Sequence, residues 1–148
     1  MLDNYLSHDE CDRIIEYHKK NKSKANQYHN ILPIKLGPDT FPFLSERLSR
    51  TSKFLGNNQV DWAEVVRWPV DSFQDYHLDK TETHTTAASI IYLNDNYEGG
   101  ETNYEEGTIF KPKKGRLLFF NGMYYKHGVN KVSKTDRYTV ATWYRDIK

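Results

Sequence analysis

Disulfide chemistry is the first thing this chain does without. Cys11 is its only cysteine, so no internal bridge can form, and a reducing, cytoplasmic setting is expected. Long apolar runs are missing too. No stretch approaches the ~20 residues of a membrane-spanning helix, mean hydropathy is −0.84, and the opening "MLDNYLSHDECDR" lacks the apolar segment of a signal peptide. Nor is there an excess of one charge. The 21 Lys and Arg face 20 Asp and Glu, which gives no field to attract nucleic acid or a membrane surface. Internal repeats, low-complexity segments and linkers are absent as well, and residues 1–148 read as a single domain. What the chain does have is aromatic rings: 11 Tyr, 7 Phe and 3 Trp, large enough to build a core where aliphatic residues are modest in number.

Two helices are expected near the start. Ser7, with Glu10 three residues later, forms the sequence of a capping box ahead of "HDECDRIIEYHKKNK". Ile14, Ile15 and His18 share a face there with Cys11 one turn earlier, which makes Cys11 and His18 packing residues. "FPFLSERLSRTSKFLG" follows as a second helix, with Leu44, Leu48 and Leu55 at helical spacing and Gly56 as its C-cap. Between them, Pro33, Gly37 and Pro38 mark a strand or loop connection. Beyond Gly56 the period changes. "VDWAEVVRW", "SFQDYHLD", "HTTAASIIYLN", "GETNYEE", "TIFKPKKG", "RLLFFN" and "RYTVATWY" are short, rich in β-branched and aromatic residues, and punctuated by "NDN", "EGG", "KPKKG" and "NGM". About eight short strands after two helices predict a mainly β fold. The expected architecture is a double-stranded β-helix, the cupin-like jelly roll, with both helices packed on one side.

Chemistry enters with "YHLDK". In an extended strand, His77 and Asp79 point to the same side about 6.6–7 Å apart, close enough to share a metal ion. His127 lies 50 residues later in "YYKHGVNKV". Two imidazoles and one carboxylate match the facial triad that leaves open positions on non-haem Fe(II). Zinc accepts the same donors, so the triad alone does not select the metal. The other histidines, His8, His18, His29 and His84, are read as surface or packing residues. Strand "RYTVATWY" places Arg137, Thr139, Ala141 and Trp143 on one face and Tyr138, Val140, Thr142 and Tyr144 on the other. A core-facing arginine is costly without an anion. A dicarboxylate would satisfy it through paired hydrogen bonds, with Thr139 as a further donor and Ala141 leaving space. An internal acid, or a position at an exposed strand end, would account for Arg137 equally well.

The order His77-x-Asp79, His127, Arg137 resembles that of the Fe(II)/2-oxoglutarate dioxygenase superfamily. "IIYLNDNYEGGETNY", "KPKKGRLLFFN" and "HGVNKV" resemble the catalytic domain of the prolyl 4-hydroxylase family. The likeness runs from about Val60 to Tyr144. It implies that His77, Asp79 and His127 hold Fe(II). Arg137, where the procollagen type usually has Lys, would bind the distal carboxylate of 2-oxoglutarate, and Tyr92 would hydrogen-bond that carboxylate. Thr139 would assist the arginine, Trp68 would stand at a pocket position usually held by tyrosine, and Trp143 would wall the pocket near the iron. Arg67 and Arg145 are candidate substrate contacts at the pocket mouth. "EGG" is read as turn chemistry and the lysines of "KPKKG" as a solvated loop.

The implied activity is that of a 2-oxoglutarate-dependent dioxygenase. It would consume O2 and release succinate and CO2 as it hydroxylates a prolyl residue in a peptide or protein. Ascorbate comes with the resemblance as an accessory reductant. Hydroxylation of a free amino acid or another small molecule is the alternative within enzymes. A non-catalytic, cupin-like metal-binding module is the alternative outside them. Nucleic-acid demethylation fits poorly with a neutral chain. The oligomeric state is not legible in the sequence.

Overall fold

A computed structural model describes residues 1–54, 56, 58–79, 85–121 and 125–147. Leu55, His84 and most of the "NGM" turn lie outside the described residues. Helix α1 spans His8–Lys20, and its capping box is formed in full: the Ser7 hydroxyl accepts from the Glu10 amide, and the Glu10 carboxylate accepts from the Ser7 amide. Cys11, Ile14 and His18 are buried on one face. After strand β1 (Leu32–Leu36), α2 covers Pro42–Phe54, starting on a proline whose missing N–H costs nothing at the first helical position. Leu44, Leu48 and Ser52 form its buried stripe.

The remaining strands are β2 (Asn58–Trp68), β3 (Gln74–His77), β4 (Thr85–Tyr92), β5 (Glu98–Gly99), β6 (Thr102–Tyr104), β7 (Ile109–Phe110), β8 (Leu117–Phe120), β9 (His127–Val129), β10 (Val132–Ser133) and β11 (Arg137–Asp146). They form a five-stranded sheet in the order β1-β2-β11-β4-β8, a four-stranded sheet in the order β3-β9-β6-β7, and the small pair β10-β5. Every pairing is antiparallel. This is the jelly roll that the strand pattern predicts. Eleven strands among the described residues exceed the expected eight or so because β5 and β10, of two residues each, and β9, of three, are too short for any alternation to show.

Alternation along β2 and β11 divides the molecule into two layers. Tyr138 and Val140 join Ala63 and Val65 on the outer face, where they meet Cys11, Ile14, Leu44 and Leu48 of the helices. The inner faces of the two sheets meet around Val66, Trp68, Tyr97, Val129 and Val132 on one side and Ala88, Tyr92, Leu118 and Phe120 on the other. The helices therefore stabilise the large sheet from outside and leave its inner face free to line a cavity. The "KPKKG" loop is more than solvated surface. Lys113 and Arg116 pair with Asp3, and Lys114 with Asp12 at 2.5 Å. Gly115 (φ +86°) lets the loop approach the Leu6 carbonyl so closely that a Cβ there would stand 2.4 Å from it. The loop thus ties the N-terminus to the sheet.

Candidate metal centre and co-substrate cavity

His77 and His127 face each other across the β3–β9 pair. Gln74 is opposite Val129 while His77 is opposite His127, so β3 carries one extra residue between those pairs. A bulge of this kind bends the strand and re-aims the side chain that follows it. The strand ends at His77, and this corrects the expectation that both residues of the His77-x-Asp79 pair lie on one extended strand. Asp79 lies just past the strand end, and the bulge rather than simple alternation sets the convergence. The outcome is nonetheless a tight cluster: the ligand atoms of His77, Asp79 and His127 lie within 4.8 Å of one another. Asp79 bridges the two rings, Oδ1 standing 3.4 Å from His77 Nε2 and Oδ2 3.2 Å from His127 Nε2.

The backbone fixes which nitrogen each ring presents. His77 Nδ1 lies 2.8 Å from the Asp75 carbonyl oxygen, and His127 Nδ1 lies 3.2 Å from that of Tyr125. With Nδ1–H donated to a carbonyl, the Nε2 lone pair of each ring is turned toward the shared centre, the arrangement that metal-binding histidines use. Burial acts to raise the Asp79 pKa, but hydrogen bonds from His127 and His77 outweigh it and hold the carboxyl below its ordinary range. Burial disfavours the His77 imidazolium, yet the bonds to Asp79 and to the Asp75 carbonyl leave its pKa raised. Without a metal, protons on Nε2 fill the gap to Asp79; a divalent cation would take their place, leaving one anionic and two neutral ligands, each with a second partner or a charge to orient it.

Gly128 sets the spacing between β3 and β9. A Cβ there would stand 2.7 Å from the Gln74 carbonyl oxygen and 3.3 Å from the Asp75 carbonyl carbon. Gly128→Ala should force the strands apart at the His77–His127 pair. Divalent-metal affinity is expected to fall about 10–100-fold, the usual effect of disturbing a ligand's supporting shell. Calorimetric Fe(II) titration checks this, and unchanged affinity would show that the close approach is unnecessary.

A cavity of about 100 Å³ extends from the histidines between the sheets, lined on the β11 side by Arg137, Thr139, Ala141 and Trp143. This is the row that alternation predicts. Arg137 is fully buried (0 % exposed). Its Nη2 donates to Thr102 Oγ1 at 3.3 Å, while Nε and Nη1 have no partner among the described residues. No carboxylate among the described residues pairs with it, so neither bland explanation, an internal acid or an exposed strand end, holds. Trp68, its cross-strand neighbour, lies 4.6 Å from the guanidinium carbon, and the Tyr92 ring lies at 5.6 Å. Such cation–π contacts offset part of the desolvation. Gly100 (φ +66°) allows close packing: a Cβ there would stand 2.9 Å from Tyr97 and 3.2 Å from Arg137 Cδ.

Tyr92 lies in this environment, but its hydroxyl is 2.8 Å from Thr102 Oγ1. Thr102 therefore links Tyr92 to Arg137 and itself lines the cavity. Sequence reasoning missed it, although "ETNY" would have flagged a threonine pointing the same way as Tyr104. Trp143 stacks on Trp62 (centroids 4.0 Å, planes 11° apart). The indole N–H groups of Trp68 and Trp143 are buried without partners among the described residues. Arg67 is not at the pocket mouth. It pairs with Asp136 at 2.8 Å, and it stands opposite Tyr138, on the helix-covered face. Its neighbours Val66 and Trp68 face inward, so an arginine between them must face out. Arg145 sits at the far end of β11 opposite Gln59 and Thr85 and does not line the cavity. Glu64, which the sequence reading did not single out, does line it.

This fold and this cluster have known counterparts. The family model described as "2OG-Fe(II) oxygenase superfamily" matches residues 63–145, and the chain belongs to that family. Human prolyl 3-hydroxylase 2 is 35% identical over 83 residues, covering 51% of this chain, and the same protein of rat is 34% identical over 83 residues. The chain spans only about 10% of the length of these relatives. Among solved structures, the viral collagen prolyl hydroxylase of Paramecium Bursaria Chlorella virus-1, in a 2OG complex, superposes with a TM-score of 0.82 at 23% identity, covering 99% of this chain and 94% of that one. A Pseudomonas putida prolyl-4-hydroxylase gives 0.82 at 16% identity, covering 99% and 91%. A Trichoplax adhaerens prolyl hydroxylase in complex with a hypoxia inducible factor peptide fragment gives 0.77 at 20% identity, covering 98% and 82%.

Proposed function

We propose that this chain hydroxylates a prolyl residue within a polypeptide. The observation that carries the reading is an open groove of about 530 Å³ that runs out from the cavity. Tyr28, Ile31, Trp68, Gln74 and His77 line both spaces. Along the groove Tyr28, Phe73, Tyr76 and Leu78 expose large apolar surfaces, which suits an extended chain and the flat face of a proline ring. A free amino acid would need no such approach. The prolyl hydroxylases among the similar proteins point the same way.

In this reading His77, Asp79 and His127 hold Fe(II), and Arg137 receives the distal carboxylate of 2-oxoglutarate. When bound, the metal and co-substrate supply the oxidising power: one atom of O2 goes into succinate as CO2 is lost, and the other enters the substrate C–H bond. The chain's own residues position and exclude. The Asp75 and Tyr125 carbonyls keep both Nε2 atoms on the metal side. Arg137 would bind through the guanidinium N–H groups that Thr102 does not occupy, and Thr139 stands beside it on the same face. The Trp68 indole N–H is a donor where a tyrosine hydroxyl is usual. Trp143 and Phe120 exclude water from the reacting end.

The test is anaerobic loading with Fe(II) and 2-oxoglutarate, then exposure to O2 with proline-containing peptides. Succinate formation coupled to a mass gain of one oxygen on proline is expected. The position of the hydroxyl distinguishes 3- from 4-hydroxylation, and omission of ascorbate tests the accessory reductant. Coupled oxidation of free amino acids alone would favour the small-molecule alternative. No succinate under any condition would favour the non-catalytic module.

A further inference from the structure

Glu64 is a carboxylate with no evident reason to be where it is. It sits on the cavity face of β2, in a row with Trp62, Val66 and Trp68, and opposite Ala141 of β11. It forms no ion pair or hydrogen bond with another described residue. Its cross-strand neighbour on β1 is Lys35, whose Nζ lies instead over the Trp62 ring, 5.2 Å from the centroid. An anion kept between apolar walls without a partner is costly. Burial accordingly pushes its pKa up to about 7, against the pull of Lys35. Arg137, opposite Trp68, poses the same question four residues further along the sheet, and there a dicarboxylate answers it. The co-substrate cannot answer it for Glu64, because like charges repel. The remaining molecule in the cavity is the substrate.

We propose that Glu64 is a specificity-determining residue that selects a substrate carrying a cationic nitrogen, an ammonium or guanidinium group, beside the hydroxylated residue. The stacked Trp62–Trp143 pair extends the site, since an aromatic face attracts a cation, and Lys35 already occupies such a position over Trp62. The buried indole N–H of Trp143, without a partner among the described residues, adds a donor for a neighbouring carbonyl. The inference deepens the polypeptide reading, on which the form of the probes rests: it places a basic residue next to the target proline.

The experiment uses the Fe(II)-loaded chain and matched proline-containing peptides that differ only in the flanking residue: Lys, Arg, Gln or Glu. Free lysine, arginine and glutamate form a second arm. Substrate-stimulated succinate formation is the readout. The basic peptides should exceed the Glu peptide by at least about tenfold in kcat/KM, mainly through KM, because opposed like charges are strongly disfavoured across a contact. In Glu64→Gln the ratio should fall to under about threefold. The ratio is internal to each protein, so partial misfolding of the variant does not alter it, and the wild-type ratio stands as a separate measurement. Equal stimulation by basic and acidic probes in the wild type overturns the assignment. So does a preference that survives Glu64→Gln, and so does failure of every basic probe to stimulate turnover. Stimulation by free lysine or arginine but by no peptide would overturn the polypeptide reading and leave Glu64 in its role.

Discussion

Asp79→Ala and His77→Ala should each abolish 2-oxoglutarate turnover. Asp79 is the one anion in the cluster, with a carboxylate oxygen toward each imidazole, 3.4 Å from His77 Nε2 and 3.2 Å from His127 Nε2. Without it two neutral rings remain, and nothing offsets the charge of a divalent cation. His77→Ala removes one of two imidazoles and leaves the Asp75 carbonyl without its ring donor. Loss of an outer-shell partner alone costs about 10–100-fold in metal affinity or activity, and loss of a ligand should exceed that. The fold should survive the Asp79 change, because Asp79 lies beyond β3 and takes no part in the β3–β9 pairing. Circular dichroism and Fe(II)-dependent succinate formation, measured together, separate the two effects. Full turnover in either variant would remove the cluster from the chemistry.

Arg137→Leu should uncouple stability from co-substrate binding. A charged, hydrogen-bonded contact contributes about 1.5–3 kcal/mol, so the KM for 2-oxoglutarate should rise roughly 10- to 150-fold. Stability of the ligand-free protein should move the other way or not at all. Arg137 is fully buried, with two nitrogens that have no partner among the described residues, and an apolar side chain of similar volume often equals or exceeds a buried charge. The wild type should gain thermal stability on adding 2-oxoglutarate, by mass action, and Arg137→Leu should lose that gain while keeping or raising its ligand-free melting temperature. A purely structural arginine would show the reverse: a large stability loss and an unchanged KM.

The parts of this arrangement that follow from local periodicity were legible in the sequence. Ser7 and Glu10 announce α1 because a capping box is a contact between near neighbours. The row Arg137, Thr139, Ala141, Trp143 is legible because β11 is long and regular through that stretch. The same alternation, applied to "VDWAEVVRW", would have turned Arg67 outward and revealed Glu64 facing inward, and here the reading fell short of the pattern. The β3 bulge that aims His77 was not legible. It depends on how closely Gly128 lets two strands approach, which is a property of the pair and not of either segment. Thr102 escaped for a related reason: its value lies in bridging Tyr92 and Arg137, which are 10 and 35 residues away in the chain.

Anaerobic calorimetric titration with Fe(II), then with 2-oxoglutarate, tests the central geometry most directly. The account predicts one Fe(II) per chain, lost in Asp79→Ala, and one 2-oxoglutarate per iron-loaded chain, weakened in Arg137→Leu while iron binding persists. Iron binding that survives Asp79→Ala, or 2-oxoglutarate binding indifferent to Arg137, would contradict it.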